Sequence, residues 1–298
     1  MPAQTSRLSI LLRKESALMD TDIRTARLEL ETDASGKTYI SHDETFEDTD
    51  VPELKVLIAK HPAEANSKSA SEATADADST SDPREFRVFY QKAMAYGDLG
   101  EYMSKHGCAS CALTTVLRAF SSKHNGLRPD DIVKTVEPSH FKKAEWLFNY
   151  KRPMLLQMPV TLCGISKILK AEGIVNRYVK SFEDDAAVKE ITAHLLKGKP
   201  VMIETSRKKR EGGKIVARND KKYAGTNHTQ VLLGVTREGK VIYADSAGRP
   251  WAGSRQRLKE TELSDMINYM FPQQVKSEAN YYIGRKRTGG YILIDEDI

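Results

Sequence analysis

The sequence predicts an α+β protein whose helices come before an antiparallel β-sheet. Between residues 109 and 198, four segments space their apolar residues as one helix face does, and two of them end at Gly173 and Gly198, as helices often do. From residue 199 the pattern changes to short β-rich runs separated by turn residues such as Gly239. Helices followed by strands are typical of an α+β layout.

Residues 1–61 are predicted to form a small acidic N-terminal unit, separate from the rest. ARLELETD and KTYISHD alternate apolar and polar residues around Gly36, which predicts a β-hairpin, and VPELKVLIAK is predicted as a short helix. Residues 62–83 consist mostly of Ala, Ser, Thr, Asp and Glu, so they cannot bury enough apolar surface to fold, and we expect a flexible linker. Residues 84–298 form the predicted main domain.

The elements of the main domain follow in order. EFRVFYQ is its first predicted strand, and RPDDIVKTV begins with Pro129 and Asp130, as helices often do. The other predicted helices are ASCALTTVLRAFSSKH, TLCGISKILKAEG and DAAVKEITAHLLKG, and the later strands are KPVMIETS, HTQVLLGVT, KVIYADS and GYILIDE. The helical part therefore precedes the sheet.

Composition excludes several classes of protein. Of 298 residues, 40% are hydrophobic and 29% are charged, and no apolar run approaches the roughly 18 residues that cross a membrane. The apolar core at residues 8–12 is too short for a secretory signal. Three cysteines argue against a disulfide framework and fit a reducing compartment. We expect a soluble, cytoplasmic protein with no membrane partner, no cofactor and no metal.

The net charge of +5 hides an asymmetry. Up to Asp82 there are 9 Lys and Arg against 17 Asp and Glu, and the remainder has 37 against 24. The basic charges lack interleaved aromatic residues or a DNA-binding pattern, which argues against nucleic acid as a partner. The lysine-rich segment 206–227 predicts a solvated loop or a flap that attracts acidic substrates. The acidic N-terminal unit either docks on the main domain as an inhibitory segment or recruits a partner.

Cys108 is the cysteine that the sequence favours for chemistry. SKHGCASCALTTVLRAF places it after Gly107 at the start of a predicted helix, where the helix dipole and unpaired N–H groups favour a thiolate. Cys111 lies one turn further on and is expected to be buried. The Cys-x-x-Cys spacing also allows a redox pair or half of a zinc site, but no βαβ unit follows, and Cys163 lacks a partner at metal spacing. Core packing is the remaining alternative, which we keep for Cys111 and Cys163 but not for Cys108, because of the residues that follow more than a hundred positions later.

A histidine and a carboxylate further along the chain complete a reactive set. His228 opens the strand NHTQVLLGV, and the next strand, in VIYADSAG, ends at Asp245. Antiparallel neighbours joined by a tight turn can place the two side chains together at one end of a sheet. With Cys108, they have the residue types of a nucleophile, a base and a group that orients the base.

These motifs together carry a family resemblance. YQKAMAYGDLGEYMSKHGCASCALTTVL, LLKGKPVMIE, NHTQVLLGV and VIYADSAG resemble the papain-like cysteine peptidases related to the double-glycine, bacteriocin-leader-processing peptidases, over residues 85–245. The resemblance implies a papain-like fold, with N-terminal helices packed on a C-terminal antiparallel sheet, and a bacterial source. It implies that Cys108 is the nucleophile, His228 the base, Asp245 the orienting carboxylate and Gln91 an oxyanion-hole donor.

The chain departs from the family pattern at two places. Ala109-Ser110 stands where Gly-Pro usually follows the nucleophile, and Ser246 stands where proline usually follows the aspartate. Neither change removes a reacting group, but both weaken the inference about the substrate.

The implied chemistry is thiol-dependent acyl transfer, in which a cysteine peptidase cleaves a peptide or isopeptide bond of a peptide or protein substrate. The same groups also allow deamidation or amide formation. An inactive peptide-binding domain of the same fold is the alternative from another class, although it would have no reason to keep all three reacting residues.

Overall fold

The computed structural model of the chain describes residues 24–42, 53–61, 83–92, 94–135, 161–247, 257–272 and 289–298. The described elements mix helix and sheet, so the α+β prediction is confirmed. The strands are β1 (Arg24–Thr32), β2 (Thr38–His42), β3 (Glu53–His61), β4 (Arg84–Phe89), β5 (Asn176–Val179), β6 (Val201–Ser206), β7 (Lys209–Glu211), β8 (Lys214–Ala217), β9 (Asn227–Val235), β10 (Lys240–Ala244), β11 (Leu258–Glu262) and β12 (Tyr291–Ile294). The helices are α1 (Gly100–His106), α2 (Cys108–Phe120), α3 (Pro129–Thr135), α4 (Leu162–Ala171), α5 (Asp184–Leu195) and α6 (Leu263–Ile267).

A six-stranded antiparallel sheet is the centre of the structure, with the strand order β11-β10-β9-β6-β12-β5. Both of its faces are covered. Leu113 of α2 and Ile165 of α4 pack on one face, and Ile191 of α5 packs on the other. Consecutive residues Val231 and Leu232 of β9 enter opposite cores, which explains why the central strands are apolar runs and do not alternate. None of the helices in the described ranges combines the length and apolar character that crossing a membrane requires.

The predicted helix in VPELKVLIAK is wrong, because residues 53–61 form strand β3. Its buried residues, Leu54, Val56 and Ile58, recur at every second position, whereas a helix would bury every third or fourth. β3 pairs with β1 in parallel and with β4 in antiparallel orientation. The alternating burial of this central strand decides its structure.

The N-terminal strands and the start of the main domain form one sheet, with the order β2-β1-β3-β4. The predicted hairpin of β1 and β2 is confirmed, and Gly36 has the positive φ of 79° that its turn requires. Because β3 pairs with β4, the described part of residues 1–61 is not a separate body. Residues 62–82 of the predicted linker lie outside the described ranges, so the domain boundaries remain predictions.

The N-terminal hairpin also packs on the six-stranded sheet. Ile40 of β2 lies over Gly234 of β9, where a Cβ would be 2.7 Å from Ile40 Cγ2. The Thr38 N–H donates to the Leu196 carbonyl at 2.7 Å. Only a glycine at position 234 allows this close approach, and the same strand, β9, contains His228.

We expect Gly234→Ala to reduce the free energy of unfolding by about 1–3 kcal/mol, because the added methyl group would force β2 away from β9. Urea unfolding of the full chain measures the change. Gly100→Ala is the matched control, since a Cβ there meets no atom within 4 Å. Adding Ile40→Ala to Gly234→Ala should recover part of the loss. Equal stability of the two glycine variants would show that β2 does not pack on β9.

Candidate active site

Cys108 is the first residue of α2, and 8% of its surface is exposed. Gly107 joins α1 directly to α2, and its N–H donates to the Met103 carbonyl at 2.8 Å. A Cβ at position 107 would lie 2.5 Å from that carbonyl oxygen, which explains why the residue is glycine. The Cys111 N–H donates to the Gly107 carbonyl at 2.8 Å, so Cys108 lies in the first turn, where backbone N–H groups lack intrahelical acceptors.

His228 and Asp245 meet at one end of the six-stranded sheet. His228 is the second residue of β9, opposite Thr205 of β6, and Asp245 directly follows β10. His228 Nε2 lies 2.6 Å from Asp245 Oδ1. Only 5% of the His228 surface is exposed, and none of Asp245. The antiparallel pairing of β9 with β10 brings them together across 17 positions of sequence.

Both oxygens of the Asp245 carboxylate have hydrogen-bond or ion-pair partners among the described residues. Oδ1 also accepts the Ala247 N–H at 2.9 Å, and Oδ2 lies 2.8 Å from Lys259 Nζ. Lys259 belongs to β11, so it reaches Asp245 from the side of β10 opposite to His228. Lys259 is not among the residues predicted from the sequence, because RLKETE has no apolar alternation that would indicate a strand beside β10. The pairing of charges across neighbouring strands is visible only in the structure.

The charge state of His228 follows from these neighbours. Burial disfavours the charged ring, but the Asp245 carboxylate attracts it and accepts its hydrogen bond, and a hydrogen bond with Cys108 adds to the effect. Together they raise the pKa of His228 from the ordinary value of 6.5 to about 9. Asp245 and Cys108 therefore both favour the charged, imidazolium form of the ring.

Gln91 links the sheet side of this site to the helix side. It follows β4 and is buried, and its backbone N–H donates to the Ser246 carbonyl at 2.9 Å. Its side-chain Oε1 accepts the Ser246 hydroxyl at 3.1 Å, and its Nε2 donates to the Ser104 carbonyl of α1 at 3.0 Å. Ser246, which stands at the position of the usual proline, takes part in two of these three bonds, and its hydroxyl makes one that proline could not. Gln91 is thus fixed between the residue after Asp245 and the helix before Cys108.

The other two cysteines differ from Cys108 in their surroundings. Cys111 is fully buried, as the sequence predicts, with its Sγ 3.9 Å from the Tyr96 hydroxyl. Burial raises the pKa of the Cys111 thiol well above its ordinary value, so it stays protonated. Cys163 lies half-buried in α4, and no disulfide joins any of the three cysteines. Among the described residues, no three His, Cys, Asp or Glu side chains cluster closely enough to hold a metal ion.

Comparison with known proteins agrees with the motif resemblance. The family model described as "Peptidase_C39 like family" matches residues 84–275, which is more than half of the chain. The matched range contains Gln91, Cys108, His228 and Asp245. The predicted membership of this peptidase family is therefore confirmed. No curated protein matches the chain.

We expect the His228 ring to titrate near pH 9 in NMR spectra of the full chain. Since this folded-state pKa lies above the ordinary 6.5, the charged ring stabilises the fold fully below about pH 6.5, and this contribution is lost as pH rises through about 9. In Asp245→Asn, no carboxylate opposes the effect of burial on the pKa of His228. The titration midpoint of the ring should therefore fall by more than one pH unit. His106, whose pKa is lowered by burial and by Lys105, is the internal control and should not move. A His228 midpoint that is unchanged in Asp245→Asn would contradict the pairing.

Proposed function

The chain belongs to the Peptidase_C39 like family, and from that premise we propose that it is a papain-like cysteine peptidase that acts through Cys108, His228 and Asp245. One observation carries the proposal. A buried imidazole contacts a carboxylate on one side and a cysteine at a helix start on the other. This is the arrangement of a nucleophile, its base and the group that orients the base.

The two ring nitrogens of His228 have different tasks in this mechanism. Nε2 is engaged with Asp245 Oδ1, so Nδ1 is the nitrogen left for the Cys108 thiol. Nδ1 takes the thiol proton, which gives a thiolate beside an imidazolium. Asp245 stabilises the imidazolium and fixes the rotation of the ring, so that the proton acceptor always faces Cys108.

The thiolate then attacks the carbonyl carbon of the scissile bond and forms a tetrahedral oxyanion. His228 returns its proton from Nδ1 to the leaving amine as the C–N bond breaks, and the acyl group remains on Cys108 as a thioester. Water attacks the thioester, gives a proton to His228 and releases the carboxylic acid, which regenerates the free thiol. The cycle needs no cofactor.

Gln91 is the proposed side-chain donor to the oxyanion, together with the Cys108 N–H. One N–H of the Gln91 amide is used by the Ser104 carbonyl, and a primary amide has a second. The bonds of Gln91 to Ser246 and Ser104 hold the amide in place before a substrate arrives. A donor that needs no reorganisation contributes most to stabilising a developing charge.

We expect Cys108→Ala and His228→Ala each to abolish cleavage of a proteome-derived peptide library, because the two residues act as one unit. Asp245→Asn should cost less, and Gln91→Ala should slow turnover about a hundredfold. Mass spectrometry of newly formed N-termini measures cleavage, and circular dichroism checks folding. Cys163→Ala is the matched control and should keep full activity. Cleavage by Cys108→Ala at the wild-type rate would contradict the proposal, and rapid Cys108 alkylation without any cleavage would favour transfer of the acyl group to an amine.

The hairpin of β7 and β8 supports an acidic substrate. It starts directly after β6, whose last residues pair with Asn227 and His228, so it leaves the sheet at the end where His228 lies. Its root is fixed, since the buried Arg210 donates to the Met270 carbonyl and pairs with Asp184 at 2.7 Å. Strand β8 and the residue that follows it are exposed, basic and partly apolar, with Lys214, Ile215, Val216 and Arg218 open to solvent. A surface of this kind attracts a peptide that combines acidic and apolar side chains.

We expect Lys214→Glu combined with Arg218→Glu to reduce cleavage of acidic library peptides about tenfold at low salt, with little effect on neutral peptides. The difference should shrink at 0.5 M salt, because salt screens exposed charges. Lys197→Glu is the control, since this exposed lysine precedes β6 at the end of the sheet away from His228. An unchanged ratio of acidic to neutral products in the double variant would remove the hairpin from substrate selection.

A further inference from the structure

We infer that Lys259 is a positioning residue of the site, which orients the Asp245 carboxylate and balances the charge of the ionised Cys108, His228 and Asp245. The inference rests on the proposed function. It adds to the three reacting residues a fourth one, from a strand that carries none of them.

The order of the strands creates this arrangement. β10 lies between β9 and β11, and Asp245 at its end receives one cation from each neighbour. His228 from β9 contacts Oδ1 at 2.6 Å, and Lys259 from β11 lies 2.8 Å from Oδ2. With both oxygens engaged, the plane of the carboxylate is fixed, and so is the direction from which it meets the imidazole.

The register between β10 and β11 explains how Lys259 reaches its partner. Lys259 lies opposite Tyr243. The Asp245 N–H donates to the Arg257 carbonyl at 2.7 Å, so the pairing of β10 with β11 continues to Asp245, two residues after Tyr243. Lys259 is therefore the diagonal neighbour of Asp245 on the adjacent strand. Diagonal neighbours lie roughly 7–8 Å apart at their Cα atoms, a distance that the long side chain of lysine spans.

Charge balance makes this contact more than a surface ion pair. Only 12% of the Lys259 side chain is exposed, 6% of that of His228 and none of that of Asp245. In the thiolate–imidazolium state, Cys108, His228 and Asp245 together carry two negative charges and one positive charge. An uncompensated buried charge is costly, and the Lys259 ammonium group brings these four residues to neutrality.

The loss of the Lys259 charge changes how acid affects the site. Without Lys259, the Asp245 carboxylate takes up a proton at a higher pH, because it has lost a nearby cation. The imidazolium then loses its partner, and the thiolate loses the imidazolium. Tyr102 of α1 also lies near Cys108, but burial raises its pKa well above the ordinary value, so it stays neutral throughout. The pairing of His228 with Asp245 should therefore be lost at a higher pH, and the alkylation of Cys108, which depends on that pairing, should fall with it.

The experiment is the pH dependence of iodoacetamide alkylation of Cys108 in the full chain, followed by peptide mapping from pH 4 to 9. In Lys259→Met, the acid limb of the profile should move up by about one pH unit. Lys259→Gln keeps a hydrogen-bond donor without the charge and should move the acid limb by the same amount. This variant replaces Lys259→Met in the experiment if the methionine variant does not fold. Lys259→Arg, which keeps the charge, should restore most of the wild-type profile.

Lys240→Met is the matched control. Lys240 pairs with Glu260 at 2.9 Å across the other end of the same two strands, and both side chains are partly exposed. Its removal should leave the profile unchanged. A folded Lys259→Met or Lys259→Gln protein that keeps the wild-type acid limb would overturn this inference but not the proposed function. So would a shift in Lys259→Arg as large as the shift in Lys259→Met. If wild-type Cys108 reacts no faster than Cys163 at any pH, the proposed function fails and the inference fails with it.

Discussion

The burial of one carboxylate constrains the rest of the site. Asp245 is completely removed from solvent, and moving an ion out of water costs several kcal/mol unless partners compensate for it. Its partners come from both neighbouring strands and from the turn that follows it, through His228, Lys259 and the Ala247 N–H. The register of β9, β10 and β11 must therefore be kept, since a slip by one residue would turn these side chains to the other face.

The helical side of the molecule is tied to this carboxylate through short polar bridges. Gln91 joins Ser246 to Ser104, and the Thr115 hydroxyl donates to the Arg87 carbonyl, which connects α2 to β4. Cys108 begins α2, so its distance from the sheet end depends on these bridges and on the apolar packing of α2. Cys108 and His228 come from opposite layers, and buried polar contacts hold the two layers in register.

The sequence predicted the parts of this structure that depend on local pattern. The spacing of apolar residues located the Cys108 helix, and the tight turn at Gly239 made β9 and β10 antiparallel neighbours, which was enough to bring His228 and Asp245 together. It missed what depends on tertiary pairing. β3 is a strand because β1 and β4 flank it, and Lys259 approaches Asp245 only because β11 lies beside β10.

The arrangement of strands β4 and β12 decides how the chain can be divided. The family match covers residues 84–275, yet β12, at residues 291–294, lies between β6 and β5, and β4 is bordered by β3 from the N-terminal side. A fragment cut at the limits of the match would lose a central strand and would expose the open hydrogen-bonding edges of β4, β5 and β6. Unpaired strand edges recruit other chains, so such a fragment would self-associate. The unit that keeps all of these strands paired therefore extends beyond the family match at both ends.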